Sequence, residues 1–104
     1  MSTRAHIVIK DGEEDHDKIK LYRHCDGYPE GAGEDLKSVV QSSGWSDPEY
    51  LAADIIRMSP GKSFVPALSI HGDEEYFWTV DLEAKEIRYS RSPDGETTLF
   101  FEQA

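Results

Sequence analysis

The segment from residue 20 to residue 31, KLYRHCDGYPEG, constrains the fold of this chain more than any other part of it. It begins with alternating apolar and polar residues, which is typical of a half-buried strand. The DG and PEG sequences that follow favour two reversals of direction, because glycine and proline mark turns. Glu34 and Asp35 come next, as acidic residues do in the first turn of a helix. The segment therefore predicts a strand that leads through two consecutive ordered turns into a helix. We call these turns, residues 26–31, the double turn.

Hydrophobic periodicity predicts the remaining elements. An additional strand precedes the segment, and the region between Asp11 and Asp17 is expected to be an acidic hairpin tip. Two helices follow the segment, the first ending at Gly44 and the second beginning near Pro48. The predicted strands are residues 5–10, 19–24, 67–70, 76–82, 86–90 and 97–101.

The predicted order is ββααββββ, which is typical of an α+β protein because strands and helices are grouped and do not alternate. Short connections among the last four strands predict an antiparallel meander. We expect one antiparallel sheet with both helices packed on one face, where Trp78 supplies much of the buried area. A chain of 104 residues is the size of one domain, so residues 1–104 are predicted to form a single domain.

The charge of the chain limits its partners. Lys and Arg number 11 against 21 Asp and Glu, a formal net charge of −10. This acidity disfavours direct binding to nucleic acid, whose phosphates would be repelled, and is compatible with a protein partner. No segment approaches the roughly 18 apolar residues that span a bilayer, and no signal sequence is apparent. We expect a cytoplasmic protein that is not bound to a membrane.

Two His-x-Asp sequences are the best candidates for a metal site. His24 and Asp26 share a face if the chain is extended there, and His71 and Asp73 repeat the spacing. Two such units meeting in space would offer two nitrogens and two carboxylates, a set suited to zinc, manganese or iron. Alternatively, both aspartates are turn residues that bond to their own backbone. We therefore predict no cofactor and no catalytic residue, with this set as the candidate if a metal binds.

The polar and aromatic side chains of the double turn and of the strand before it are the candidate binding residues. The leading hypothesis is a protein-binding module and not an enzyme. One alternative is a metal-dependent or hydrolytic enzyme built on the two His-x-Asp units. Another is an acidic mimic of nucleic acid that inhibits a DNA-binding protein. The candidate binding residues are Tyr22, His24, Asp26, Tyr28 and Glu30.

The sequence LYRHxDGYPEG, residues 21–31, resembles a motif near the N-terminus of small bacterial and phage-encoded proteins of about this length. The resemblance spans most of the chain, including the later aromatic strands. An aromatic residue often occupies the position of Cys25 in those proteins, which argues against a cysteine nucleophile here. The resemblance implies a family and carries no activity with it.

The aromatic residues of the last strands predict a homodimer. Two helices cover only one face of a sheet, and Phe100 and Phe101 are adjacent in an extended segment. We therefore expect Phe77 and one of these two residues to be exposed on the other face, where a symmetric dimer would bury them. Light scattering at high micromolar concentration should give twice the chain mass, and a monomer mass would contradict the prediction.

Overall fold

The computed structural model describes residues 3–12, 18–59 and 63–103. Most of the predicted acidic tip, residues 13–17, lies outside the described residues. A single π-type turn, Pro29–Gly33, precedes the first helix. In chain order the elements are β1 (Arg4–Lys10), β2 (Lys18–Arg23), α1 (Glu34–Ser43), α2 (Pro48–Met58), β3 (Phe64–Pro66), β4 (Glu74–Asp81), β5 (Glu86–Ser90) and β6 (Thr98–Glu102).

The six strands form one open sheet in the spatial order β3-β2-β1-β4-β5-β6. The α+β class is confirmed. The prediction of a wholly antiparallel sheet is wrong, because β1 and β4 pair in parallel at the centre. The hairpin of β1 and β2 leaves the other side of β1 unpaired, and the long apolar strand β4 occupies it. Backbone N–H and C=O groups buried at that position need such a partner.

The segment between β3 and β4, residues 67–73, differs from its prediction. Residues 67–70 were expected to be a strand joined to β4 by a hairpin, whereas the strand is Phe64–Pro66 and pairs with β2. Since β3 and β4 both run parallel to β1, residues 67–73 have to return across the sheet between them. We call residues 67–73 the crossover segment.

Both helices pack on one face of the sheet. Trp78 is only 1% exposed and lies at the centre of that face, as predicted. Alternate residues of each strand point towards the helices, whose apolar stripes close the core. The core comprises Ala5, Ile7, Ile9, Leu21, Phe64, Trp78, Val80 and Ile87 from the sheet, Leu36, Val39, Val40, Leu51, Ala52 and Ile55 from the helices, and Ala32 and Leu82 from the connections.

The double turn is attached to the core through Trp78. The indole Nε1 donates a hydrogen bond to the Gly27 carbonyl oxygen at 2.8 Å, and this bond is buried. Gly33 allows close approach at the helix start, since a Cβ there would lie 2.7 Å from the indole ring. The Gly27 amide also donates to the Thr3 carbonyl at 2.8 Å. The turn is thus an ordered part of the fold.

Arg23 supports the same region from the end of β2. Its side chain is buried and forms an ion pair with Asp35 of α1 at 2.5 Å. The guanidinium also donates to the Cys25 carbonyl at 2.6 Å and lies over the Phe64 ring, 4.8 Å from its centroid. A buried charge is tolerated when it is paired and hydrogen-bonded in this way. Arg23 therefore joins β2, β3 and α1.

A β-bulge changes the predicted exposure of the last strand. The register of β5 and β6 shifts beside Arg88, which leaves Phe100 without a direct partner residue. The Phe100 ring lies edge-on to the Trp78 ring, with 5.4 Å between the ring centroids. The Phe101 and Trp45 rings are stacked, with 6.4 Å between their centroids. Because a bulge breaks the alternation of side chains, both rings pack towards the helical side. The expectation that one of them lies on the opposite face is wrong, and the homodimer stays a prediction.

Substitution of Gly31 tests the packing of the double turn. Gly31 has no positive φ, but a Cβ on it would overlap the Asp26 carbonyl oxygen, which belongs to the backbone. We expect Gly31→Ala to lower the free energy of unfolding by about 1–3 kcal/mol, as overpacking does. For a chain of this size, each kcal/mol of lost stability lowers Tm by roughly 4–8 °C. Glu30→Ala, an exposed change in the same turn, should leave Tm nearly unchanged. Equal melting of the two variants would contradict this account.

Candidate functional site

The face of the sheet opposite the helices carries the candidate site, and we call it the open face. The register places His6, Tyr22, Phe77 and Ser90 side by side on it, directly across from one another on adjacent strands. No described helix packs against this face. Its strand residues include His6, Val8, Lys10, Lys18, Lys20, Tyr22, Val65, Phe77, Thr79, Asp81, Glu86, Arg88, Ser90, Leu99 and Glu102.

A groove of about 810 Å³ runs across the open face. The crossover segment contributes Ser69 and Ile70 to one wall, and the turn between β5 and β6 contributes Pro93, Gly95 and Thr97 to the other. This volume lies within the range of roughly 300–1,000 Å³ typical of ligand sites. The strands supply His6, Val8, Lys18, Lys20, Phe77, Trp78, Thr79 and Ser90.

His6 is the most unusual residue of the groove. It is only 5% exposed, and its Nδ1 is buried without a hydrogen-bond partner. Burial lowers the pKa of His6, Lys20 and His71 lower it further, and Glu74 opposes them. The imidazole is therefore neutral at pH 7. A buried polar atom left unpaired costs about 1–3 kcal/mol, so the groove floor is not optimised for stability alone.

Tyr22 and His71 form a stacked pair on the open face. Their rings lie 3.9 Å apart with an interplanar angle of 18°, which holds the crossover segment against β2. The Tyr22 hydroxyl donates to Asp73 at 3.0 Å, and Arg4 forms an ion pair with the same carboxylate at 3.1 Å. Burial and the Asp73 hydrogen bond raise the pKa of Tyr22. These contacts fix the position of the crossover segment and engage the Asp73 carboxylate.

The predicted metal set is only partly brought together. Within the described residues, ligand atoms of His71, Asp73 and Glu74 lie within 4.8 Å of one another, and His24 and Asp26 do not belong to this group. Burial acts to raise the pKa of Glu74, but hydrogen bonds from backbone amides, including those of His71 and Gly72, hold it below its ordinary value. Its carboxylate, like that of Asp73, already has partners. The four predicted ligands are therefore not brought together, and a metal site stays a prediction.

The five predicted binding residues lie in two places. Tyr22 is buried on the open face, in the cluster with His71. Asp26 accepts a hydrogen bond from the Tyr28 hydroxyl at 2.9 Å within the double turn, and this bond raises the pKa of Tyr28. His24 and Glu30 are exposed, His24 just before the double turn and Glu30 within it. Binding by these residues stays a prediction.

Sequence reasoning missed the groove, including His6 and Lys20, although it placed Phe77 on this face. The sequence did indicate this face of the sheet. In both strands of the first hairpin the polar residues alternate with core residues, so the polar residues must lie together on the face opposite the core. Phe77 was expected there as part of a dimer contact, and Val8 on the same face could have added to that indication. The walls had no comparable signal, since they depend on the path of the crossover segment.

Comparisons with protein families, with curated proteins and with solved structures found no match for this chain. The resemblance of residues 21–31 to a motif of small bacterial and phage-encoded proteins therefore stays a prediction. Among the described residues, no helix is long and apolar enough to cross a membrane.

The state of His6 makes the stability of the fold depend on pH. An unfolded chain takes up the proton near the ordinary pKa of 6.5, while the folded chain takes it up only at lower pH. The free energy of unfolding should therefore fall as the pH drops below about 6.5. Between pH 7.5 and pH 5.5, the free energy of unfolding measured in urea should fall less for His6→Gln than for the wild type. His24→Gln changes an exposed histidine and serves as the control, so its free energy of unfolding should fall as much as that of the wild type. An equal fall in the wild type and both variants would rule out this role of His6.

Proposed function

We propose that the chain is a protein-binding module that docks an extended segment of a partner protein on its open face. The observation that carries this proposal is Leu68, which the crossover segment holds 96% exposed beside the groove. Val65 and Ile70, at 39% and 44% exposed, belong to the same stretch of chain. Exposed apolar side chains that are contiguous and have a polar surround mark interaction surfaces more often than isolated ones do.

The size of this surface favours a macromolecular partner over a small molecule. Ile70 lines the groove, but Leu68 stands outside the lining, and a ligand confined to the groove would leave it in water. Burial of a leucine side chain contributes about 1.5–3 kcal/mol. A partner segment that fills the groove and extends over its rim would gain that contribution. Leu99, 39% exposed on β6, is a further exposed apolar residue, at the opposite edge of the face.

The two alternative functions have less support. The enzyme hypothesis depended on two His-x-Asp units acting together, and only one of them, His71 with Asp73, belongs to the group of close ligand atoms. The nucleic-acid mimic depends on exposed acids, of which Glu75 and Glu83 are examples. Most of the acidic tip that it also needs lies outside the described residues. Both stay predictions.

A peptide display selection tests the proposed docking surface. Random 12-residue peptides are selected on the purified protein, and the enriched peptides are synthesised and titrated. We expect Leu68→Asp to weaken their binding at least tenfold, because it places a charge on the apolar rim. Tyr50→Asp is the matched control, since Tyr50 is 71% exposed on α2, on the helical side of the sheet. Peptides that bind both variants equally well, or the absence of any binder, would count against the proposal.

A further inference from the structure

We infer that the docked segment presents a carboxylate next to an aromatic or aliphatic side chain, and that Lys20 binds the carboxylate while Val8 and Phe77 receive the apolar group. The inference rests on the proposed function, because it names the chemistry of the partner that the open face takes. It also assigns a specific role to one lysine in a strongly acidic protein.

The charge of the groove is opposite to that of the chain. The thirteen described residues that line the groove include Lys18 and Lys20 and no Asp or Glu, although the chain carries a formal charge of −10. Lys20 is exposed, and the described residues offer it no ion-pair partner. Lys18 has contacts of its own, so the inference depends on Lys20 alone.

Two acidic residues of the open face are already paired with cations. Asp81 lies 3.8 Å from the Lys10 ammonium, and Glu86 lies 2.9 Å from the Arg88 guanidinium. Asp81 and Glu86 lie opposite each other, at the end of β4 and the start of β5, and Arg88 lies directly opposite Thr79. These paired carboxylates therefore compete less with an incoming anion for the lysine of the groove than free carboxylates would.

The net charge of the whole protein does not prevent an acidic segment from docking. At physiological ionic strength the Debye length is about 8 Å, so charges farther away are largely screened. The residues that line the groove then determine which charge is favoured at contact. The general acidity instead disfavours weak binding of acidic chains elsewhere on the surface, which improves selectivity.

The floor of the groove supplies the second half of the recognition. Val8 and Phe77 lie on adjacent strands, and Ile70 stands above them in the wall. An aromatic or aliphatic side chain placed there loses its contact with water, which is the main source of affinity in such sites. Thr79 and Thr97 offer hydroxyl groups to the backbone of an extended segment.

A carboxylate suits this groove better than a phosphate does. Phosphate groups are commonly held by bidentate arginine forks or by several backbone amides, to which a lysine often adds a single charge. The described lining contains no arginine, and its cations are lysines on a strand surface. A single ammonium beside an apolar floor is the pattern expected for an aspartate or glutamate with an apolar neighbour.

Peptides from the selection that depend on Leu68 provide the probe. We expect an Asp or Glu within two positions of an aromatic or aliphatic residue in these peptides. Lys20→Gln should weaken their binding about five- to twentyfold, as loss of a charge-assisted hydrogen bond does. Arg57→Gln removes one positive charge from the helical side, where Arg57 is exposed, and should change affinity less than about twofold. Thermal melting of both variants serves as the check on folding.

A double-mutant cycle then identifies the contact. Replacing the peptide carboxylate by its amide should weaken binding to the wild type and have little effect on Lys20→Gln. Leu68-dependent peptides that lack acids, that require a phosphorylated residue, or that bind Lys20→Gln with full affinity overturn the inference and leave the proposed function standing. Failure to obtain Leu68-dependent peptides overturns both.

Discussion

The buried hydrogen bond from the Trp78 indole to the Gly27 carbonyl, 2.8 Å long, is the interaction on which the rest of the structure depends. It joins the central strand β4 to the double turn, and the double turn sets where α1 begins. The indole also packs against Tyr89 and Phe100, with ring centroids at 5.0 and 5.4 Å. A tryptophan can anchor a core in this way because it combines a large apolar surface with one donor that must be satisfied. Both helices are thereby held on one face, and no described helix covers the other.

The parallel pairing of β1 and β4 then creates the candidate site. Since β3 and β4 run in the same direction at different positions in the sheet, the chain between them has to return, and it does so over the open face. There His71 stacks on Tyr22, and Asp73 is held by Tyr22 and Arg4. The same seven-residue segment carries Leu68 outward and Ile70 inward. One topological choice therefore provides both a wall of the groove and its exposed apolar rim.

The electrostatics of the protein differ between the whole surface and the groove. Most acidic side chains of the described sheet are exposed or paired, whereas the groove presents lysines and a neutral, buried His6. Burial of an unpaired polar group is costly, and such costs are commonly found where a surface serves binding. The proposed partner, an acidic segment with an apolar side chain, matches this local environment and would be unfavourable on most of the remaining surface.

Local sequence determined the parts of this protein that depend on local chemistry. The apolar stripe of Leu36, Val39 and Val40 predicted α1, and glycine and proline predicted the double turn, because these signals act over one or two turns of chain. Strand pairing joins residues far apart, and alternation in β4 is the same whether its neighbour is parallel or antiparallel. Only the tertiary structure therefore decided that β4 lies beside β1, that a bulge turns Phe100 and Phe101 to the same side, and that His6, Lys20 and Phe77 meet in one groove. These outcomes depend on which backbone groups remain unpaired after the first hairpin forms, and a short stretch of sequence does not determine which groups those are.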